Sequence, residues 1–212
     1  MKSEGICDFC KKTFSATAMS RHLQSCDEKI KLNENEEKKE KIFLLRASSG
    51  LYFVYFEVNS NNKLEEIDDF LRNLWLECCG HMSLFKINGL NYASSPDPEF
   101  KERNMKAKIG DVISPGLKFN HEYDFGTTTE LSLTCISERL GILRDIKIVS
   151  RNNMPDFKCD ICGNVAKDIC SDCVYENKGL LCKKCSKNHE CGEDILLPLV
   201  NSPRSGMCGY TG

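Results

Sequence analysis

The spacing of the cysteines constrains this chain more than any other feature of its sequence. Cysteine occurs 14 times in 212 residues, and four pairs have the form Cys-x2-Cys: Cys7 and Cys10, Cys159 and Cys162, Cys170 and Cys173, Cys182 and Cys185. Two thiolates at this spacing form a tight knuckle that supplies half of a tetrahedral metal site. We expect zinc, because disulfides require an oxidising compartment and iron–sulfur clusters use different spacings.

The composition is typical of a soluble globular protein. Charged residues make up 28% of the chain and hydrophobic residues 41%, and no apolar run approaches the roughly 20 residues that span a bilayer. The first residues are followed by cysteines rather than by an apolar signal core. We therefore expect a cytoplasmic protein that has no membrane association.

The net charge bears on the class of partner. The chain carries 29 basic and 31 acidic side chains, a formal charge of −2, and the thiolates of three filled zinc sites would lower it to about −6. Non-specific binding to nucleic-acid phosphates needs a dense patch of Lys and Arg. The densest basic group here contains only Lys183, Lys184 and Lys187. We expect a protein partner and keep nucleic acid as the alternative.

Residues 1–26 contain four metal-ligating side chains at the spacing of a small metal-stabilised module: Cys7, Cys10, His22 and Cys26. Phe14, Met19 and Leu23 supply a small apolar core between them. So short a segment buries too little apolar area to fold alone, so metal ligation must supply the missing free energy. The segment resembles a zinc finger of the Cys-Cys-His-His type in which Cys replaces the last His.

The same finger is poorly equipped to read DNA. Base-reading fingers use side chains at defined offsets around the helix start, and these offsets fall on Ser15, Ala18 and Arg21. Only Arg21 can make a bidentate contact to guanine, and one finger covers roughly three base pairs. We expect a structural or protein-binding finger.

The remaining chain divides by composition into three parts. Residues 27–41 are almost entirely charged or polar and predict a solvated linker, across which we expect the finger to fold independently. Residues 42–156 contain most of the aromatic side chains and predict a central domain. Residues 157–212 contain the second group of cysteines and a tail.

Residues 157–212 hold enough ligands for two zinc ions, and interleaving their Cys-x2-Cys pairs would join loops that sequential pairing leaves loose. The arrangement resembles the cross-braced B-box type of zinc finger. This resemblance implies one zinc held by Cys159, Cys162, Cys182 and Cys185, and another held by Cys170, Cys173, His189 and Cys191. About three zinc ions per chain are then expected in total.

Cys208 is the alternative to Cys191 as the eighth ligand of this module. A loop of one residue between His189 and Cys191 costs little closure entropy, whereas Cys208 closes a longer loop with less strain. We choose Cys191, because the apolar residues 195–197 can then pack as a strand and leave the tail from Pro203 to Gly212 free.

The central domain predicts an α+β fold with a mainly antiparallel sheet. Two apolar, β-branched and aromatic runs flank a turn at Gly50 and predict a hairpin. Leu64, Ile67, Leu71, Leu74 and Cys78 recur at helical spacing, with Asn62 and Glu65 in capping-box positions and Gly80 after the end. The later stretches 84–87, 118–125, 131–136 and 146–149 predict further strands.

Two sequence stretches in this domain, Trp75 to His81 and His121 to Gly126, carry a resemblance to the Ri-plasmid open-reading-frame-three-like family. Members come from plasmids and transposons and have no settled biochemical activity. Many members follow the second motif with an acid, a Trp and a His, where this chain has Thr127, Thr129 and Leu131. The resemblance implies an association with mobile elements.

Two groups of polar side chains in the central domain raise the question of catalysis. Cys78, Cys79 and His81 cluster at a predicted helix end, where we expect Cys78 to pack as a small hydrophobe rather than to bind metal or act as a nucleophile. His121 is expected to pack inside the sheet, but a groove near Asp124 and His121 keeps open an enzyme or a small-ligand binder. Catalytic zinc is disfavoured, because it keeps an open coordination position. The leading hypothesis is a non-enzymatic interaction protein.

Overall fold

A computed structural model describes residues 3–31, 40–176 and 178–212 of the chain. Its helices are α1 (Ala16–His22), α2 (Asp27–Lys31), α3 (Leu64–Leu71), α4 (Ile109–Val112) and α5 (Lys183–Ser186). Its strands are β1 (Glu4–Cys7), β2 (Thr13–Ser15), β3 (Glu40–Ser49), β4 (Tyr52–Asn59), β5 (Ser83–Ile87), β6 (Leu90–Ala93), β7 (Arg103–Asn104), β8 (Lys118–Tyr123), β9 (Thr129–Gly141), β10 (Lys147–Asn152), β11 (Asp168–Cys170), β12 (Leu180–Leu181) and β13 (Leu196–Pro198).

One ten-stranded sheet forms the centre of the described structure, with the strand order β2-β1-β10-β4-β3-β9-β8-β5-β6-β7. Its neighbours pair antiparallel, except that β6 and β7 run parallel. The protein is therefore mostly sheet with few helices, which agrees with the predicted α+β class and mainly antiparallel sheet. Both edges of the sheet are very short strands, β2 and β7.

Strand β4 shows why the centre of the sheet is so apolar. Successive side chains of a strand point to opposite faces. Val54 and Phe56 pack on the face covered by α3, while Phe53 and Tyr55 pack on the face covered by the N-terminal segment. Because both faces are covered, β4 is buried along almost its whole length.

The helix after this hairpin is shorter than its periodicity predicts. It begins at Leu64, and its capping interaction joins the backbone N–H of Lys63 to the Glu66 carboxylate, one residue later than the predicted pair of Asn62 and Glu65. A wider π-helical turn follows over Arg72–Leu76, in which the N–H of Glu77 donates to the Arg72 carbonyl at 2.9 Å. This turn places the fully buried Trp75 in the core and positions the residues around Cys78 beyond it.

The N-terminal segment packs directly on the central sheet. Strand β1 pairs with β10, placing Gly5 opposite Asn152, and a Cβ atom at Gly5 would collide with the carbonyl oxygen of Arg151. Helix α1 adds a hydrogen bond of 2.6 Å from the Tyr55 hydroxyl to the Ala16 carbonyl. This arrangement differs from the expectation of a finger that folds independently of the sheet.

The predicted linker 27–41 is described only at its two ends. Its first residues form α2, Asp27–Lys31, and its last residues begin β3 at Glu40. The rest of this prediction, residues 32–39, lies outside the described residues.

Residues 157–200 form a smaller unit with its own three-stranded sheet, in the order β12-β11-β13. Its core is built from Cys159, Cys170, Leu181 and Cys182. Within the described ranges, none of the helices is both long and apolar enough to cross a membrane.

The tail after this unit is not free, so the expectation for Pro203 to Gly212 is wrong. Arg204 is fully buried, and Ser202 and Tyr210 are nearly so. The Ser202 hydroxyl donates to the Trp75 carbonyl at 2.6 Å. The tail therefore packs against the central domain, next to the end of the π-helical turn.

Candidate metal centres

The N-terminal cluster comprises four side chains whose ligating atoms all lie within 4.8 Å of one another: Cys7, Cys10, His22 and Cys26. The turn between β1 and β2 brings the first two together, with Lys11 in a left-handed conformation at φ 60°. Helix α1 begins at Ala16, where the Ser15 hydroxyl accepts from the Ala18 N–H. The helix then carries His22 to 3.2 Å from the Cys10 sulfur.

The cluster is backed by the apolar contacts that the sequence predicted. The rings of Phe14 and His22 are stacked with their centres 4.0 Å apart, which fixes the imidazole plane. Met19 and Leu23 are fully buried beneath them. The finger therefore has a small core, which it shares with the central sheet.

The first C-terminal cluster is formed by cysteine alone and joins two distant knuckles: Cys159, Cys162, Cys182 and Cys185. Gly163, at φ 74°, closes the first knuckle, and α5 begins after Cys182 and carries Cys185. The Cys162 sulfur lies 3.6 Å from the sulfurs of both Cys182 and Cys185.

The second C-terminal cluster combines the remaining knuckle with the chain after α5: Cys170, Cys173, His189 and Cys191. The Cys173 sulfur lies 3.4 Å from the His189 Nε2 atom and 3.6 Å from the Cys191 sulfur. Along the chain, the ligands of the two C-terminal clusters alternate in pairs. The structure thus brings Cys191, rather than Cys208, to this cluster.

The thiols of the first C-terminal cluster have unequal proton affinities. Burial alone would raise the pKa of Cys159, but hydrogen bonds from the backbone N–H groups of Cys182, Cys162 and Ile161 outweigh it and lower the pKa to about 6. The neighbouring thiol of Cys162 raises the pKa of Cys185 to about 12. One thiol thus ionises readily while another keeps its proton, and a metal ion would displace that proton.

The donor geometry of these clusters fits zinc. Zinc–sulfur bonds of about 2.3 Å in a tetrahedron place two sulfurs roughly 3.8 Å apart, whereas a disulfide bond is about 2.05 Å long. The observed sulfur–sulfur distances of 3.6 Å match the former. The Cys/His clusters are therefore compatible with metal binding, and zinc is the metal that their thiolate and imidazole donors favour.

A further cluster joins Cys208 to three residues that are close together in sequence: Cys78, Cys79, His81 and Cys208. We name it the loop–tail cluster. As expected, Cys78 packs partly against the apolar core, but the tail brings a fourth donor beside it. The sequence did contain a signal for this site. Cys78, Cys79 and His81 are three potential ligands without a fourth, and Cys208 is a potential ligand that no other cluster of the described residues uses. The fold was needed to join them across 127 residues.

The predicted groove residues are engaged inside the protein. His121 is fully buried, and its Nε2 atom lies 2.6 Å from an Asp68 carboxylate oxygen. The Asp124 carboxylate, 6% exposed as a residue, accepts a hydrogen bond of 2.6 Å from Arg204. An open cleft of about 900 Å³ is lined by residues between Ile87 and Val112, away from both side chains.

Comparisons with known proteins add little to this geometry. No family model matches the sequence, and no curated protein matches it significantly. A solved structure titled protein of unknown function MM3350, from Methanosarcina mazei Go1, is similar over 52% of this chain and 67% of its own, with 16% identity and a TM-score of 0.44.

Proposed function

We propose that this protein is a non-enzymatic, zinc-binding interaction protein whose zinc ions are structural. The observation that carries the proposal is that the N-terminal cluster and the two C-terminal clusters each offer four Cys or His donors. Four protein ligands complete a zinc tetrahedron, whereas catalytic zinc keeps one position for water or substrate.

Each segment of the chain is assigned to a type of module. Residues 1–26 act as a zinc finger, residues 157–212 as a B-box-like cross-braced module and tail, and residues 42–156 as a domain related to the plasmid open-reading-frame-three-like proteins. The alternation of ligand pairs between the two C-terminal clusters supports the cross-braced assignment. Cysteine thiols that bind zinc must stay reduced, and the cytosol keeps thiols reduced. This supports a cytoplasmic location.

A groove on the central domain supports a protein partner. Met82, Phe100 and Phe125 are exposed at 52%, 72% and 47%, and they line a groove of about 560 Å³ together with Asp97 and Glu102. An apolar groove with carboxylates at its rim repels phosphates. It suits a protein segment that has apolar side chains and a basic flank.

Zinc binding is tested by metal analysis of the full-length, zinc-replete protein. Cys7→Ser, Cys159→Ser and Cys170→Ser should each lower the zinc content by at least one ion per chain. Cys135→Ala is the matched control, because Cys135 is buried in the central core and belongs to none of the clusters. Unchanged zinc content in all three ligand variants would refute structural zinc binding.

The protein partner is tested by quantitative affinity capture from cells of the source organism. Phe100→Ala and Phe125→Ala should lose a protein that the wild type captures, while Tyr175→Ala should keep it, since Tyr175 is 64% exposed but lies in the C-terminal unit. Crosslinks should map the captured segment to residues near Phe125. Tight, steeply salt-dependent binding to DNA or RNA in an electrophoretic shift would instead favour the nucleic-acid alternative.

A further inference from the structure

We propose that the loop–tail cluster binds a fourth zinc ion, which fastens the C-terminal tail to the central domain. The Cys79 sulfur lies 3.7 Å from the sulfurs of both Cys78 and Cys208. The His81 Nε2 atom lies 3.0 Å from the Cys79 sulfur and 3.3 Å from the Cys208 sulfur. The ligating atoms of all four side chains lie within 4.8 Å of one another.

These distances match a metal tetrahedron rather than a disulfide. The sulfur–sulfur separation of 3.7 Å is close to the roughly 3.8 Å edge of a tetrahedral zinc–thiolate site. It is far above the S–S bond length of about 2.05 Å. Three cysteines and one histidine also form the donor set of the N-terminal cluster and of the second C-terminal cluster.

The loop that carries the first three ligands is held in shape before any metal binds. The Tyr123 hydroxyl accepts from the backbone N–H groups of Cys78 and His81, at 3.4 and 3.3 Å. It donates to the Glu77 carboxylate at 3.1 Å, which also accepts from the Gly80 N–H at 2.6 Å. Such outer contacts orient metal ligands and limit the entropy that binding costs.

The tail is held in place by a buried arginine next to the cluster. The fully buried Arg204 donates to the Asp124 carboxylate at 2.6 Å and to the Thr127 carbonyl at 2.8 Å. It also approaches the Cys78 sulfur at 3.5 Å. Cys208 then follows in a left-handed conformation, at φ 47°, which turns its side chain toward the loop.

A buried cation beside the cluster favours an anionic centre. Zn²⁺ with three thiolates and one neutral imidazole carries a net charge of −1. The Arg204 guanidinium contacts both the Cys78 sulfur of this centre and the Asp124 carboxylate, which itself lies 3.5 Å from the His81 Nε2 atom. A buried cation that contacts two anionic groups is better compensated than one that contacts a single carboxylate.

This fourth zinc would differ in its effect from the three zinc ions proposed for the N-terminal cluster and the two C-terminal clusters. Each of those joins ligands within one small module, whereas the fourth would join the end of the chain to a loop 127 residues earlier. The C-terminal unit would then be anchored to the central domain on the side of its tail. Removal of this one ion would loosen the tail without unfolding any of the three modules.

The test combines native mass spectrometry with cadmium NMR on the full-length protein. We expect four metal ions in the wild type and three in Cys208→Ser and in Cys79→Ser, while Cys135→Ala retains four. Four cadmium resonances are expected, one from a four-sulfur site and three from sites of three sulfurs and one nitrogen. Only one of the latter should vanish in Cys208→Ser, and the three that remain show that the variant is folded.

Three results would overturn the inference. One is a wild type whose cadmium resonances are confined to the other three clusters. Another is a Cys208→Ser variant that keeps all four ions. The third is a Cys79–Cys208 disulfide in protein purified under reducing conditions, seen as a mass lower by two hydrogens. Failure of the structural zinc sites would appear separately, as loss of the resonances assigned through Cys7→Ser and Cys159→Ser.

Discussion

The two ends of the chain place similar Cys/His clusters in different structural settings. At the N-terminus, the cluster shares a sheet with the central domain through β1, and it shares an apolar core that includes both Leu23 and Phe53. The C-terminal clusters lie in a unit with its own sheet and its own core, which includes Leu181. The same metal chemistry should therefore stabilise the whole protein at one end and only a local unit at the other.

The largest expected effect is that of Cys159→Ser. Structural zinc contributes about 10 to 16 kcal/mol to the folding of small zinc modules, and the two C-terminal clusters alternate along the chain. We expect residues 157–200 to lose both zinc ions and their amide protection. The central sheet should keep its protection, as measured peptide by peptide with hydrogen exchange and mass spectrometry. Loss of protection in β3 and β4 as well would remove the contrast between the two ends.

Cys7→Ser should have a smaller but wider effect. Loss of the N-terminal zinc would release Met19 and Leu23, which are fully buried, and each such side chain contributes about 1.5 to 3 kcal/mol. We expect the thermal transition of the central domain to fall by roughly 2–4 °C for each kcal/mol lost. Calorimetry measures this shift. An unchanged transition would mean that the finger is independent of the sheet, as the charged linker first suggested.

A buried ion pair at the same interface gives a test that depends on pH. Glu57 is almost fully buried; Lys29 lies 3.0 Å from its carboxylate, and Arg139 donates to it at 2.9 Å. Burial alone would raise the pKa of Glu57, but Arg139 and Lys29 outweigh it and hold the pKa below its ordinary value of 4.5. Removing one partner of such a pair costs about 3 kcal/mol, so Glu57→Gln should be destabilised by that amount at neutral pH.

The sign of the pH effect follows from the lowered pKa. This carboxylate stabilises the fold above the pKa of the unfolded chain, and the contribution is lost as pH falls through the lower folded value. Below pH 4.5 the wild type should thus lose its advantage over Glu57→Gln in denaturant titrations. Glu138→Gln is the control, since its pair with Lys41 is exposed at 41% and 48%. An advantage that persists into strong acid would contradict the assignment.

The smallest expected effect lies at the rim of the finger. The Lys147 ammonium lies 5.0 Å from the centre of the Phe9 ring, and an exposed cation–π contact contributes about 0.5–1 kcal/mol. Lys147→Ala should lower the denaturation midpoint by a correspondingly small amount. Lys118→Ala, on an exposed position of β8, should leave it unchanged. Equal effects of the two substitutions would show that the ring contact contributes nothing.

Much of the secondary structure follows from local patterns. Strands β6 and β7 were not predicted. The hairpin around Gly50, the strands β5, β8, β9 and β10 and, to within one residue, the start of the helix at Leu64 lie where the pattern of apolar residues places them. The end of that helix does not. Its last predicted turn widens because Trp75 and Leu76 are both drawn into the core, and this depends on packing that a periodicity does not encode.

The candidate metal sites divide in the same way. Ligands that lie close in sequence, such as Cys170 and Cys173, can be predicted from their spacing. The meeting of His81 with Cys208 depends on the path of the whole chain. The pairing of β1 with β10 could not be predicted from the sequence either, because β1 is only four residues long and its partner lies more than 140 residues away.

The position of β10 in the sheet has a consequence for the metal-depleted protein. The sheet ends at β2, three residues long, so β10 is an interior strand only while β1 and β2 remain attached. An edge strand with unpaired N–H and C=O groups is a template for pairing with another chain. Loss of a metal ion from the N-terminal cluster would turn the six residues of β10 into such an edge, so metal binding there would also protect the protein from aggregation.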